Sequence, residues 1–202
     1  MKSVLISIKP QWCEKIASGR KTFEVRHTAP KETPFKCYIY CTKSKPFIQK
    51  IRFGDIAISH TQISNNLYNG KVIGEFICDK TYPIKAYTSD GGNADLERWK
   101  FIETFLPAKK QNKILFWTCL STDEIFDYIG EEKFGYAWHI SNLKIYDKPK
   151  ELSEFYRPCS YSGICYSCNR FRPNGTPNDK PNDFCDGEIT RPPQSYMHVK
   201  EI

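Results

Sequence analysis

The chain opens on an alternation of period two. In SVLISIK (3–9), Val4, Ile6 and Ile8 alternate with Ser3, Leu5 and Ser7, which predicts a strand with one well-buried face. Pro10 suits the first turn of a helix over 10–18 with Trp12 or Cys13, Ile16 and Ala17 on one side, and Gly19 is a natural C-terminal stop. KTFEVR (21–26) alternates again, with Phe23 and Val25 on one face and Thr22, Glu24 and Arg26 on the other. FKCYIYCT (35–42) places Cys37, Ile39 and Cys41 together, as core residues rather than ligands. GDIAISH (54–60), GKVIGEFICDKTYPI (70–84), FGYAWHISNLKIYD (134–147) and SYMHVKEI (195–202) are further strand candidates. A short amphipathic helix is expected around Leu96 to Phe105, ended by Pro107. Another is expected over 120–130, where Ser121 stands three residues before Glu124 in capping-box spacing.

Six or more short strands with helices confined to connections give an α+β fold: a small closed or partly closed β-barrel with peripheral helices. The 202 residues are read as one domain with an insertion, because from 158 to 193 the composition turns to Cys, Pro, Asn, Gly and Asp before the last strand.

Composition narrows the class. At 40% hydrophobic and 26% charged, the chain is that of a self-folding globular protein. No stretch approaches the roughly 20 apolar residues of a membrane helix, and the first residues hold too short an apolar run for a secretory signal. The expectation is a cytoplasmic protein with no membrane partner. Nine cysteines, an odd number in a chain of this size, fit reduced thiols better than a disulfide framework. The net charge of +7 is uneven: 12 Lys and Arg face 4 Asp and Glu in residues 1–60, whereas 10 face 13 in residues 121–202. That polarity fits an anionic partner at one face, nucleic acid foremost, and equally a solvated lysine-rich surface.

The cations cluster around GRKTFEVR, which fits the pattern GxKxxExR through Gly19, Lys21, Glu24 and Arg26. A strand and short helix before it, and a strand carrying its second half, resemble the ASCH domain family of the PUA-like superfamily. The likeness extends over VLISIKPQWCEKIASGRKTFEVR, FKCYIYCT, GKVIGEF and YAWHISNLKIYDKPKEL and leaves out the cysteine-rich insertion. The resemblance implies a PUA-like β-barrel with an RNA-related function and a cleft that holds nucleic acid or a modified base beside the turn at Gly19 to Lys21. In such a cleft Lys21 supplies a point charge, Arg26 a planar two-pronged donor, and Glu24 an acceptor for an exocyclic amine or an anchor for a cation. Strand alternation sets Lys21 opposite Glu24 and Arg26 unless it precedes the strand. In that case all three converge on one cavity; otherwise Glu24 and Arg26 are an ion pair on the barrel wall.

Binding of RNA, or of a modified nucleobase, is the leading expectation, with Tyr38, Tyr40, Tyr136 and Trp138 as candidate stacking platforms. The alternative is hydrolysis of a modified nucleoside. Some small ASCH proteins resemble amidohydrolases acting on N4-acetylcytidine through the motif lysine, a threonine three residues later and a distant glutamate. Here Lys21 matches, Glu24 occupies the threonine position, and Glu124, Glu131 or Glu132 could supply the carboxylate. A ribonuclease, associated with relatives of the family, would draw on Lys21 and Arg26 with His60 or His139 as acid-base groups.

Cys159, Cys165, Cys168 and Cys185 follow a Cx5CxxCx16C spacing in a segment too polar to order itself by burial. Four thiolates can close a tetrahedral structural zinc site, with an iron-sulfur cluster as the minor alternative and an ordinary loop of reduced thiols also open. A third class of function, protein interaction through this segment, selects no partner from the sequence.

Overall fold

The computed structural model describes residues 1–44, 48–51, 56–58, 68–89, 99–158 and 189–202. The opening alternation forms β1 (Ser3–Ile8), and Pro10 starts α1 (Pro10–Ala17), where its missing N–H would have had no helical partner. Cys13, Ile16 and Ala17 form the buried stripe of α1. Gly19, at φ 73°, takes the left-handed conformation that ends the helix, and its N–H donates to the Ile16 carbonyl at 2.9 Å. The Lys21 N–H donates back to the Lys15 carbonyl at 2.9 Å, so Lys21 belongs to the helix end and β2 (Phe23–Arg26) starts after it.

β3 (Phe35–Cys41) follows, then an antiparallel pair, β4 (Ile48–Ile51) and β5 (Ile56–Ile58). The run expected as one strand over 70–84 is two, β6 (Val72–Cys78) and β7 (Thr81–Ser89), split where Asp79 and Lys80 interrupt the apolar pattern. The helix expected around Leu96 to Phe105 is corrected to β8 (Trp99–Thr104), paired with β7 from Ile84↔Thr104 to Ser89↔Trp99. Burial there alternates, with Ile102 and Thr104 inside and Phe101 and Glu103 outside. The exposed Phe101 stacks on Tyr87 at 5.5 Å across the strand pair. Pro107 begins a helix rather than ending one, preceding α2 (Ala108–Trp117).

α3 (Thr122–Ile129) carries the expected capping box, with the Glu124 N–H donating to Ser121 Oγ at 3.1 Å and the Ser121 N–H to Glu124 Oε2 at 2.8 Å. The long strand expected over 134–147 breaks at Ile140 into β9 (Phe134–His139) and β10 (Ser141–Lys150). A 3-10 turn at Leu152–Glu154 precedes β11 (Tyr196–Val199), the expected last strand, which pairs antiparallel with β1.

The architecture is α+β, with a five-stranded sheet of order β10-β6-β3-β1-β11 and a four-stranded sheet of order β2-β9-β7-β8. The chain crosses between them four times, through α1, over 27–34, at 79–80 and at 140. Among the described residues the ladders form these two open sheets and the β4-β5 pair, so the closed or partly closed barrel expected from the sequence is not confirmed. One face of the five-stranded sheet packs Val4, Ile6, Cys37, Ile39 and Phe76 on α1 and Trp138, and its other face is covered through Leu5, Tyr38 and Phe155. The four-stranded sheet packs Val25, Ile84 and Ile102 against Ile114 of α2 and Ile125 and Ile129 of α3. Among the described residues no helix is long and apolar enough to cross a membrane. Cys159, Cys165, Cys168, Cys185 and His60 lie outside the described residues.

Candidate ligand-binding site

The three motif charges meet. Because Lys21 precedes β2, its side chain is free of the strand's alternation and reaches the same side as Glu24 and Arg26. Lys21 Nζ lies 3.3 Å from Glu24 Oε2, and Arg26 Nε lies 3.2 Å from Glu24 Oε1. All three side chains are buried. Charges taken so far out of water are tolerated only when paired and hydrogen-bonded, and most of that demand is met here. Lys21 Nζ also donates to the Thr118 carbonyl at 2.6 Å, at the end of α2. Arg26 donates through Nη2 to the Ser7 carbonyl at 2.5 Å and through Nη1 to the Ser195 carbonyl at 3.4 Å. The Arg26 Nε–H finds no hydrogen-bond acceptor: its contact with Glu24 is Coulombic, the N–H not being aimed along the line between them.

Lys21, Glu24 and Arg26 line an open cavity of about 510 Å³ between the two sheets and α3. Trp12 of α1 forms one wall, with Lys21 Nζ 5.4 Å and Lys15 Nζ 4.6 Å from its ring. Glu124, Asp127 and Tyr128 of α3 form another wall, and Gln194, just before β11, lies at the edge. Burial raises the Tyr128 hydroxyl above the usual phenol range, with Arg26 pulling the other way, so the phenol stays a neutral donor and acceptor. Lys9 is at the rim, while Glu24 offsets one of the two floor cations and Glu124 and Asp127 add negative charge opposite. The cavity wall is mostly apolar and its charged groups are mixed in sign, which suits a planar group with hydrogen-bonding edges more than a bare polyphosphate.

Gly19 does not line the cavity; it shapes the turn that delivers Lys21. Of the aromatic residues expected to stack, Tyr38, Tyr40 and Trp138 are buried in the core and Tyr136 packs against it, so none lines the cavity. The aromatic walls are Trp12 and Tyr128, which the sequence reading did not name as such. Their signal was adjacency: Trp12 in the helix that leads into the motif, and Tyr128 four residues after Glu124 on α3.

Among the carboxylates considered for catalysis, Glu124 lines the cavity, whereas Glu131 accepts a hydrogen bond from Thr88 and Glu132 pairs with Lys85 at 2.7 Å. His139 lies elsewhere, its Nδ1 2.6 Å from Asp79 Oδ1. No described thiol lines the cavity. Burial pushes Cys13 and Cys37 far up and Cys78 up to about 12, and Cys41 is buried with them. Among the described residues no group of His, Cys, Asp and Glu is placed to hold a metal ion.

No family model and no curated protein matches the chain. Solved structures do. The ASCH protein of Zymomonas mobilis is 16% identical, with 75% of this chain and 74% of that one covered at a TM-score of 0.45. Two single-substitution mutants of the same protein match at 16% and 17% identity, with TM-scores of 0.46 and 0.44, 75% of this chain covered in each case and 77% and 75% of theirs. The chain is similar to ASCH structures. That is the family whose motif its residues 19–26 resemble, and the likeness is partial at these values.

Proposed function

We infer that the chain is a nucleic-acid-binding protein that grips a single unpaired base, plain or modified and RNA-borne, in the cavity floored by Lys21, Glu24 and Arg26. The observation that carries this reading is the convergence of a fixed carboxylate and two cations on one open cavity flanked by Trp12 and Tyr128. A base edge presents donors and acceptors in a plane; Glu24 accepts from an exocyclic amine, and Lys21 and Arg26 hold that carboxylate in place. Trp12 and Tyr128 offer faces for the ring.

Fluorescence anisotropy with a labelled single-stranded RNA at low salt tests the reading. Trp12→Ala and Tyr128→Ala each remove a stacking face and lower affinity by roughly 1–3 kcal/mol. Affinity for the unsubstituted protein falls as salt rises, because phosphate contacts release counterions. No binding at low salt, or affinity indifferent to both substitutions, defeats the reading.

A second reading, hydrolysis of a modified nucleoside such as N4-acetylcytidine with Lys21 and Glu24 as catalytic groups, is favoured by one observation: Glu124 lines the same cavity as Lys21. Against it, a glutamate stands where the resembling amidohydrolases have a threonine, and Glu124 is engaged by the Ser121 N–H. Mass spectrometry of N4-acetylcytidine incubated with the protein decides between release of acetate and no turnover.

We further propose that Cys159, Cys165, Cys168 and Cys185 hold one structural zinc ion, the four thiolates supplying folding energy that the polar insertion lacks. Metal analysis of protein purified without added metal gives about one zinc per chain if this holds. A content near zero removes the idea.

A further inference from the structure

On the other side of β2 lies a second cavity, of about 460 Å³, within the range of small-ligand sites at roughly 300–1,000 Å³. Thr22 and Phe23 line it, while Lys21, Glu24 and Arg26 line the first, so one short segment separates the two. Its polar edge is the turn at Asp79 and Lys80 together with His139 at the end of β9. Asp79 Oδ1 holds His139 Nδ1 at 2.6 Å, which leaves the opposite ring nitrogen for another partner. Burial disfavours the charged Asp79, yet the hydrogen bond and charge of His139 outweigh it and hold the carboxyl below its usual range. The dyad is therefore a fixed carboxylate orienting an imidazole.

Three cations share the cavity. Lys80, Lys110 and Lys113 line it, and none of them forms an ion pair among the described residues, whereas Lys36, Lys71, Lys85 and Lys100 all do. Lys110 and Lys113 are three residues apart and so lie on one face of α2. Lys110 falls in the first turn of that helix, which has no acidic residue and where the helix dipole works against a cation. Across from them is an aromatic wall: Phe23 sits 5.0 Å from the His139 ring and 5.9 Å from Tyr82, and Trp117 of α2 closes the side. Unpaired cations beside aromatic faces and an oriented imidazole suit an anion that carries a flat ring.

We propose that this cavity is a second binding site, for a nucleotide: Lys110 and Lys113 take its phosphate, Tyr82 and Trp117 flank its base, and His139, oriented by Asp79, hydrogen-bonds it. The nucleotide is either a free mononucleotide or one unit of an RNA strand.

Isothermal titration calorimetry separates the possibilities, with adenosine and uridine 5′-monophosphates, the parent nucleosides, inorganic phosphate, and an RNA of about ten nucleotides as probes. The variants are Lys110→Glu combined with Lys113→Glu, both at exposed positions, and Trp12→Ala in the first cavity. A monophosphate is expected to bind with the nucleoside and phosphate alone each weaker, and charge reversal of the two lysines lowers its affinity more than about ten-fold. In the Trp12→Ala background, where the first cavity has lost a stacking face, charge reversal of Lys110 and Lys113 lowers the remaining affinity by the same factor. If only the oligonucleotide binds and the lysine substitutions weaken it, the source is a strand and the site stands. If neither probe responds to Lys110→Glu and Lys113→Glu, or none binds, the site is refuted. In the case where Trp12→Ala alone abolishes RNA binding, the first cavity survives without the second; in the reverse case the second survives without the first.

Discussion

Glu24 joins both cations of the motif, and the structure gives it a structural duty whether or not a ligand arrives. Held between Lys21 and Arg26, it keeps two buried cations from facing each other. Asp79 does a comparable thing on a smaller scale, and its consequence is measurable. Its carboxyl is depressed in the folded state, so the stability it contributes is present above the unfolded carboxylate value of about 3.9 and is lost as pH falls through the lower folded value. With 39% of that side chain exposed, solvent screening holds the contribution under about 1 kcal/mol. Denaturant midpoints of the wild type and Asp79→Asn should therefore differ near pH 5 and converge near pH 2. Equal midpoints at both would mean that the pair contributes nothing. At this scale the turn at Gly19 and the charge cluster of Lys21, Glu24 and Arg26 were legible, because a left-handed turn and a short-range charge pattern are local, whereas the side reached by Lys21 had stood open between two alternatives. Trp12 and Tyr128 were not: their faces meet through elements more than a hundred residues apart.

Elements were legible wherever local chemistry and tertiary pairing agreed. The start of α1 at Pro10 and the capping box of α3 needed no long-range information. β8 shows the opposite case. The segment around Leu96 to Phe105 read as an amphipathic helix, but β7 was available to pair, and the ladder from Ile84↔Thr104 to Ser89↔Trp99 outweighed the local preference. Breaks were equally invisible: nothing in FGYAWHISNLKIYD marks Ile140 as the point where the chain leaves one sheet for the other. Packing between strands gives a sharper test. In β6, a Cβ on Gly74 would stand 2.4 Å from the Lys144 carbonyl and 3.1 Å from the Ile145 Cα of β10. Both are backbone atoms and cannot turn aside. Gly74→Ala should lower stability by about 1–3 kcal/mol in equilibrium denaturation. Gly130→Ala tests something else, since its cost comes from a φ of 90° rather than from contact. A neutral Gly74→Ala would show that β10 does not press on β6 as described.

The whole molecule is held by contacts far apart in sequence. β1 pairs with β11, Ser7 Oγ donates to the Pro193 carbonyl at 2.7 Å, and Arg26 reaches from β2 in one sheet to Ser7 in the other and to Ser195 beyond. Arg26→Ala should therefore cost about 3–5 kcal/mol by stranding Glu24 and two carbonyls, whereas Arg26→Ala with Glu24→Ala should cost less than the sum of the two single changes. Additive losses in a double-mutant cycle would show that the pair is not coupled. The fold class was readable from the count of short strands. Closure was not, because whether edge strands meet depends on twist and stagger that no single segment encodes.

That Arg26 joins the sheets and also floors the cavity has a consequence for how variation in this protein can be interpreted. A selection that scores only whether the chain folds would reject changes at Lys21, Glu24 and Arg26, and so would a selection that scores only ligand capture. Intolerance at those three positions is thus uninformative about recognition. The other lining residues, Gln11, Trp12 and Tyr128, carry less of the framework than the motif, though Trp12 packs on the core and Tyr128 on His27. Changes there disturb the fold less than changes at the motif, and new specificities have more room to arise at the walls than at the floor.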